Sequence, residues 1–287
     1  MANTALRRVL VTGAGTGFGL EAAMRLAEKG FDVIAGVEIY AQVQTLKWQA
    51  VERGVELQVE KLDVTNDGDR RKALKWGVEI LVNNAGVGEG GSTVDIPESN
   101  IRHQFEVNVT GPLLLTQGIA KQMVKRGAGR IVWVSSREGL NVNPFTGIYS
   151  ASKHAVEAIA ETMAYELQEH NVEVATVNPG PFLTGFNDRM FQTWESWEDD
   201  PSQRLFDYSE LSFPRAQFDP EAVCATLTAV AAGEVDSYRN LEPKSMLEET
   251  RQLQEVPWNR KTTDGLGTRH PSIQHSYEMR PETPFTQ

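Results

Sequence analysis

The sequence predicts an α/β fold: a doubly wound parallel sheet of about six to seven strands with helices on both faces. Three observations lead there. Short apolar runs alternate with helical patterns, each run is apolar along its whole length, and a glycine-rich stretch joins the first run to the first helical pattern. Strands covered on both faces read as continuous hydrophobic runs, and strand–helix alternation builds parallel sheets through right-handed crossovers. Such a sheet, of the Rossmann type, binds ligands outside the carboxyl ends of its strands.

Six runs read as strands: RRVLVTG (7–13), FDVIAGV (31–37), VELQVEKLDV (55–64), VEILVNN (78–84), GRIVWVSS (129–136) and NVEVATVNPG (171–180). Each is rich in Val, Ile or Leu and ends in Gly, Asn, Ser or Asp. The clearest helix covers 150–169, where Ala155, Val156, Ile159, Ala160, Met163, Ala164 and Leu167 share one face. From 182 to 218 the chain is dense in aromatics and has no clear period. A further helix starts at Asp219-Pro220, with an N-cap acid and proline at the first helical position. Beyond about Met246 the chain is polar and shows no apolar periodicity. Nothing resembles an interdomain linker, so residues 1–245 are expected to form one domain and 246–287 a polar extension.

Composition narrows the function. At 287 residues, 40% apolar and 23% charged, the chain has the balance of a soluble globular protein. Its net charge of −11, with no block of Lys or Arg, argues against nucleic acid or an anionic membrane as partner. Cys224 is the only cysteine, which excludes internal disulfides and suits a reducing cytoplasm. No secretory leader or membrane-length apolar run is expected, and five scattered histidines suggest no metal site.

The stretch LVTGAGTGFGLEAA (10–23) follows a strand and opens a helix, the context in which glycines indicate phosphate binding. Glycines let the backbone turn sharply beside a pyrophosphate, and the helix offers free N–H groups at its positive end. A plain glycine-rich turn is the other reading. Glu38 ends the next strand, where an acid can accept from the adenosine ribose hydroxyls and repel a 2′-phosphate. No Lys or Arg lies between Gly30 and Thr45 to bind such a phosphate, so NAD(H) is favoured over NADP(H). A solvent-facing Glu38 is the alternative.

Four later features follow in order. LVNNAG (81–86) ends the fourth strand, FEVNVTGP (105–112) places Asn108 in a helix, VWVSS (132–136) ends the fifth strand, and YSASK (149–153) sets Tyr149 four residues before Lys153. A tyrosine, with pKa about 10, needs its phenolate stabilised to act as a base near neutrality. Residues i and i+4 share a helix face, so the Lys153 ammonium is placed to lower the Tyr149 pKa. Ser136 can hydrogen-bond a substrate oxygen and a developing alkoxide. Pro112 displaces the Asn108 carbonyl from its helical bond, freeing it to hold a water.

Together these residues resemble the short-chain dehydrogenase/reductase family over roughly residues 7–235. Its T-G-x-x-x-G-x-G loop is matched by Thr12 to Gly19, with Gly13, Gly17 and Gly19 essential and Gly15 incidental. Its N-N-A-G is 83–86, and its P-G-x-x-x-T, which holds the nicotinamide carboxamide, is Pro179 to Thr184. The resemblance implies an oxidoreductase interconverting an alcohol and a ketone or aldehyde with a nicotinamide cofactor. It assigns catalysis to Asn108, Ser136, Tyr149 and Lys153, with Asn108 in a water-mediated proton relay and Lys153 on the nicotinamide ribose. Ser136 is chosen over Ser135 by the family's usual spacing to the tyrosine. The implied cofactor contacts are Gly13, Thr16, Gly17, Phe18, Gly19, Glu38, Asp63, Val64, Asn84, Ala85, Gly86, Tyr149, Lys153, Pro179, Gly180, Phe182 and Thr184. A homodimer or homotetramer is implied as well.

Two departures stand out. The segment from Asp63 to Asn83 is short for the family, so its helix is expected to be clipped. Residues 233–245, GEVDSYRNLEPKS, lack the glycine-rich last strand, which leaves that strand and the usual tetramer contacts without sequence support. The segment 182–218 falls where the family carries its substrate lid. Phe182, Phe186, Met190, Phe191, Trp194 and Trp197 suit a hydrophobic or aromatic substrate, or else pack a small lid core of their own. The extension has three readings: it covers the pocket, reaches a neighbouring subunit, or is disordered. Two other functions remain open at this stage. One is a nucleotide-binding regulatory protein without turnover; the other is an epimerase or dehydratase on the same scaffold.

Overall fold

The computed structural model describes residues 7–279. Residues 1–6 of the expected domain and 280–287 of the expected extension lie outside the described residues. In chain order the first half runs β1 (Arg8–Val11), α1 (Gly17–Glu28), β2 (Asp32–Val37), α2 (Tyr40–Arg53), β3 (Gln58–Lys61), α3 (Asp67–Ala73) and β4 (Ile80–Asn83). Then come α4 (Glu98–Phe105), a π-helical turn (Glu106–Thr110), α5 (Gly111–Arg126), β5 (Gly129–Val134), α6 (Gly147–Leu167) and β6 (Val172–Pro179). The last part holds α7 (Phe186–Met190), α8 (Glu221–Ala232), β7 (Arg239–Glu242), α9 (Leu247–Asn259) and α10 (Pro271–Glu278).

All seven strands pair in parallel, in the order β3-β2-β1-β4-β5-β6-β7. The order reverses between β1 and β4, which opens a crevice at their carboxyl ends. Alternation along β1 explains the two-sided core. Val9 and Val11 join one buried cluster with Ala22, Leu26, Val223 and Leu227, while Leu10 joins the other with Leu115, Ile119, Val156 and Ala160. Helices α1 and α8 therefore cover one face and α5 and α6 the other. Helix α3, only seven residues long, is the clipped helix between β3 and β4.

Two expectations about the C-terminal part need correction. A last strand is present: β7 pairs with β6 through Thr176↔Arg239 to Pro179↔Glu242. Its sequence, RNLE, hides it because buried polar groups stand where apolar ones are expected. Asn240 is buried and satisfied by donating to Thr176 O (3.1 Å) and Ser237 O (2.8 Å). The extension is also structured as far as it is described. Helix α10 docks on segment 182–218: Ser212 N–H donates to Ser276 O at 3.1 Å, and the Tyr277 hydroxyl to Asp207 O at 2.7 Å. The stretch is polar because α10 packs into the aromatic cluster with only Ile273 and Tyr277, while buried Ser276 and the cavity-lining Ser272 and His275 are polar.

Segment 182–218 leaves the sheet and returns to the same point. Leu183 N–H donates to Phe218 O and Phe218 N–H to Pro181 O, both at 2.9 Å, closing its base. Its aromatics form a third cluster with Ile96, Phe145, Ile148 and Tyr149. Phe145 is the pivot of that contact. It holds φ +65°, a costly conformation for an aromatic residue, while its carbonyl accepts from Gly91 N–H and its ring meets Phe206, Tyr208 and Tyr277.

Candidate active site

The glycine loop and β4 are laced together by one hydroxyl and one amide. Thr12 Oγ1 accepts from Asn84 N–H (3.0 Å) and Ala85 N–H (3.1 Å); Asn84 Nδ2 donates to Thr12 O (3.0 Å) and Gly13 O (3.1 Å). That lacing requires glycine at two places. Gly13 has φ +63°, and a Cβ there would stand 2.7 Å from Ala85 Cα; a Cβ on Gly19 would stand 2.5 Å from Gly13 O. Gly17, at φ +57°, has nothing within 4 Å of its Cβ position, so the loop leaves open space beside the start of α1. A Cβ on Gly15 would meet only the side chain of Gln42. Helix α1 has no side-chain cap and no acid in its first turn, which leaves its N–H groups for an anion.

A single cavity of about 610 Å³ runs from this loop, along the ends of β1, β4, β5 and β6, to segment 182–218. Of the residues predicted for the site, Gly13, Thr16, Gly17, Phe18, Glu38, Asp63, Val64, Asn84, Ala85 and Gly86 line it. So do Ser136, Tyr149, Lys153, Pro179, Gly180, Phe182 and Thr184. Gly19 and Asn108 stand behind the wall. Gly19 is packed under the loop, and Asn108 Oδ1 lies 3.3 Å from where a Cβ on Gly86 would be. The Asn108 amide is fully engaged: Oδ1 accepts from Val87 N–H at 2.8 Å, and Nδ2 donates to Val87 O (2.9 Å) and Ser152 Oγ (3.1 Å). Around it the helix widens into the π-helical turn just before Pro112, the kind of irregularity a missing N–H produces.

At the other end α6 brings Tyr149 and Lys153 against the end of β5. Both are buried, Tyr149 to 8% exposure and Lys153 to 6%. Lys153 Nζ donates to Val134 O at 2.9 Å and lies 5.7 Å from the centre of the Tyr149 ring. Burial pulls the lysine from 10.5 down to about 8, against the opposing carboxylate of Glu157. Burial also pushes the Tyr149 phenol well above its ordinary range; Ser136 pulls it back and the Glu138 carboxylate adds to the rise. The expected lowering of the Tyr149 pKa by Lys153 is therefore not realised. One of the ammonium's three N–H groups goes to a backbone carbonyl, and desolvation of the phenolate is the largest influence on the phenol. Of the two serines, Ser136 interacts with Tyr149, while Ser135 Oγ is buried with no hydrogen-bond partner.

A buried ammonium makes a thermodynamic prediction. Below pH 8 Lys153 is charged in both folded and unfolded chains, and the folded state bears the full burial penalty. Between pH 8 and 10.5 the unfolded chain binds more protons, so stability rises with pH. Lys153→Met removes that dependence. The stability of the wild type relative to Lys153→Met is expected to improve by about 2–3 kcal/mol from pH 7 to pH 10. Urea unfolding of both proteins at the two pH values measures it; a constant difference would contradict the burial penalty.

The aromatic segment divides between its two readings. Phe182, Phe186, Met190 and Phe191 line the cavity. Trp194 and Trp197 pack the segment's own core against Tyr208 and Arg204, with Trp197 Nε1 donating to Glu89 at 2.6 Å. Several residues of the site escaped the sequence reading. Thr12 was visible in the loop pattern but not singled out as its clasp. Glu138 lines the cavity beside Ser136, its carboxylate accepting from Asn143 Nδ2, Thr146 Oγ1 and Ser150 Oγ at 2.6–2.9 Å. Arg137, Arg215, Ser272 and His275 complete the wall, the last two from the C-terminal extension. No local pattern marks these residues, since they meet only through the fold.

Among known proteins, the short chain dehydrogenase family matches residues 7–195. The chain is 36% identical over 185 residues to an uncharacterized oxidoreductase, YusZ, of Bacillus subtilis, covering 61% of this chain and 65% of that one. It is 34% identical to human retinol dehydrogenase 8, covering 64% and 61%. It thus matches less than two thirds of the length of both. A longer match, over 245 residues at 31% identity, joins it to human 17-beta-hydroxysteroid dehydrogenase type 1, covering 78% and 74%. Among solved structures, a short-chain dehydrogenase from Streptomyces avermitilis has a TM-score of 0.70 at 26% identity, covering 90% of this chain and 97% of its own. An actinorhodin polyketide ketoreductase solved with NADPH has a TM-score of 0.69 at 28% identity, covering 84% and 97%. Among the described residues no helix is long and apolar enough to cross a membrane. With its seven-stranded parallel sheet, its glycine loop and these relatives, the chain belongs to the short-chain dehydrogenase family.

Proposed function

We propose that this protein interconverts an alcohol and a ketone or aldehyde with a nicotinamide cofactor, preferring NAD(H), on a hydrophobic or aromatic substrate. One observation carries the reading: Ser136, Tyr149 and Lys153 meet at one end of a cavity whose other end is the glycine loop. The open space beside Gly17 and the uncapped start of α1 suit a pyrophosphate. When bound, the nicotinamide takes the hydride from the carbinol carbon or returns it. In the oxidative direction the Tyr149 phenolate accepts the hydroxyl proton as the C–H bond breaks, and the carbonyl forms. In reduction the Tyr149 hydroxyl donates that proton. Ser136 orients the substrate oxygen, and Lys153 supplies positive charge beside the phenol. Asn108 braces the backbone of Val87 next to them and positions the helix that carries a relay water.

Burial keeps the Tyr149 phenol in its protonated form, the form that donates in the reductive direction. Incubating the protein with NAD or NADP and a panel of aromatic, steroid, polyol and sugar alcohols, while following nicotinamide absorbance, tests the reaction. Turnover of at least one secondary alcohol supports it; bound nucleotide with no oxidation anywhere in the panel favours a regulatory protein instead.

The NAD preference rests on Glu38, exposed at the end of β2 and lining the cavity near Gln42 and Asp63. No Lys or Arg among the described residues lines that end. Glu38→Arg is expected to shift the NAD:NADP ratio of kcat/KM by at least about tenfold towards NADP, because it exchanges repulsion of a 2′-phosphate for attraction. An unchanged ratio would place the ribose elsewhere.

A further inference from the structure

We propose that the substrate chamber recognises an anionic group, a carboxylate on an otherwise apolar alcohol or ketone, and that Arg215 holds it. This inference rests on the reading of the cavity as an oxidoreductase site and names the substrate class of that site. The first observation is charge. The chain carries −11 overall, yet the substrate end of the cavity gathers Arg137, Lys153, Arg189 and Arg215. Only one acid lines that end, Glu138, and its oxygens are taken up by Asn143, Thr146 and Ser150. The acids Glu38 and Asp63 belong to the opposite, adenosine end.

The second observation separates the cations by what they already bind. Lys153 is held by Val134 O. Arg137 is buried on α9's side of the wall, its Nη2 2.9 Å from Glu249 Oε2 without a hydrogen bond and its Nε donating to Thr250 Oγ1 at 2.9 Å. Arg215 is matched only loosely. The other oxygen of Glu249 lies 3.8 Å away, and among the described residues its only hydrogen bond is to Asn143 Oδ1, at 3.3 Å. A guanidinium has five N–H donors in a fork that fits a carboxylate, and Arg215, which lines the chamber, spends only one of them on a hydrogen bond among the described residues. Arg189, which is exposed, lines the cavity as well.

The third observation is position. Through Asn143, Arg215 touches the loop that leads into α6 and Tyr149, so it belongs to the substrate end and not to the glycine loop. Phe186, Met190, Phe191 and Phe213 line the same chamber and suit the apolar body of the ligand. A partly desolvated Arg is a poor neighbour for an uncharged hydrophobe and a strong one for an anion, where charge-assisted bonds run at about twice the strength of neutral ones.

The probes are 4-acetylbenzoate and 3-(4-acetylphenyl)propanoate, each paired with its methyl ester, titrated calorimetrically into NADH-loaded protein and followed for reduction. At least one acid is expected to bind the wild type about tenfold or more tightly than its ester. In Arg215→Gln that ratio is expected to fall close to one, with the NADH affinity of the variant unchanged; Arg215→Lys should retain part of the preference. Esters bound as tightly as acids by the wild type, or a preference that survives Arg215→Gln, overturns the proposal. A variant that loses NADH affinity also overturns it, because Arg215 would then serve the cofactor phosphates. The two readings fail separately. Acid preference without reduction of any probe supports the anion subsite and contradicts the oxidoreductase reading, while equal reduction of acid and ester does the reverse.

Discussion

Tyr149→Phe is expected to lower turnover by about a thousandfold while leaving NADH binding within a few-fold of the wild type. The substitution removes one oxygen from a ring that stays buried between Ile148 and Phe186, so the cavity keeps its shape. On the proposed mechanism, what is lost is the group that exchanges the substrate's hydroxyl proton. Ser136, which interacts with the same phenol, has no comparable acidity and cannot substitute for it. Steady-state oxidation of an alcohol by both proteins, with NADH affinity from nucleotide fluorescence, separates chemistry from binding. Turnover of the variant within tenfold of the wild type would remove Tyr149 from the reaction.

The second large effect is expected at the other end of the cavity. Gly13→Ala forces a side chain into φ +63° and sets its Cβ 2.7 Å from Ala85 Cα, a backbone atom that cannot swing aside. Left-handed strain and the clash together are expected to cost about 2–4 kcal/mol of stability. Relief would separate β1 from β4 and break the clasp of Thr12 on Asn84 and Ala85, so NADH affinity should fall at least about a hundredfold. Gly15→Ala is the comparison, since its Cβ meets only the end of the Gln42 side chain, which accepts from Glu38 and Ile39 N–H, and no backbone atom. Urea unfolding and NADH titration of the pair decide the point. Equal behaviour of the two variants would mean that the loop tolerates a side chain where the backbone leaves no room.

What could be read from the sequence was whatever depends on neighbours along the chain. The six apolar runs, the clipped helix before Ile80 and the α6 face carrying Tyr149 and Lys153 are local patterns, and the structure contains each of them. Long-range burial was harder to see. Strand β7 escaped because Asn240 and Glu242 are polar and buried, their needs met by Thr176 on β6 and Thr226 on α8. Helix α10 escaped because it packs inward with so few apolar residues, a stripe too thin to stand out from a polar stretch. The pKa relation between Lys153 and Tyr149 was misjudged for the same reason. Helical spacing puts them side by side, but the carbonyl of Val134 that captures the ammonium lies nineteen residues upstream. Arg137, Arg215 and Glu249 are brought together by the packing of α9 against the cavity, and no spacing rule connects them.

Tracing the hydride is the most direct test of the central claim. NADH carrying deuterium on the reactive ring carbon, given to the wild-type protein with an aromatic ketone, is expected to deliver deuterium to the carbinol carbon of the alcohol. Tyr149→Phe should form almost none of this product. Alcohol formed without deuterium at that carbon, or no alcohol from any ketone despite bound NADH, would contradict hydride transfer in this cavity.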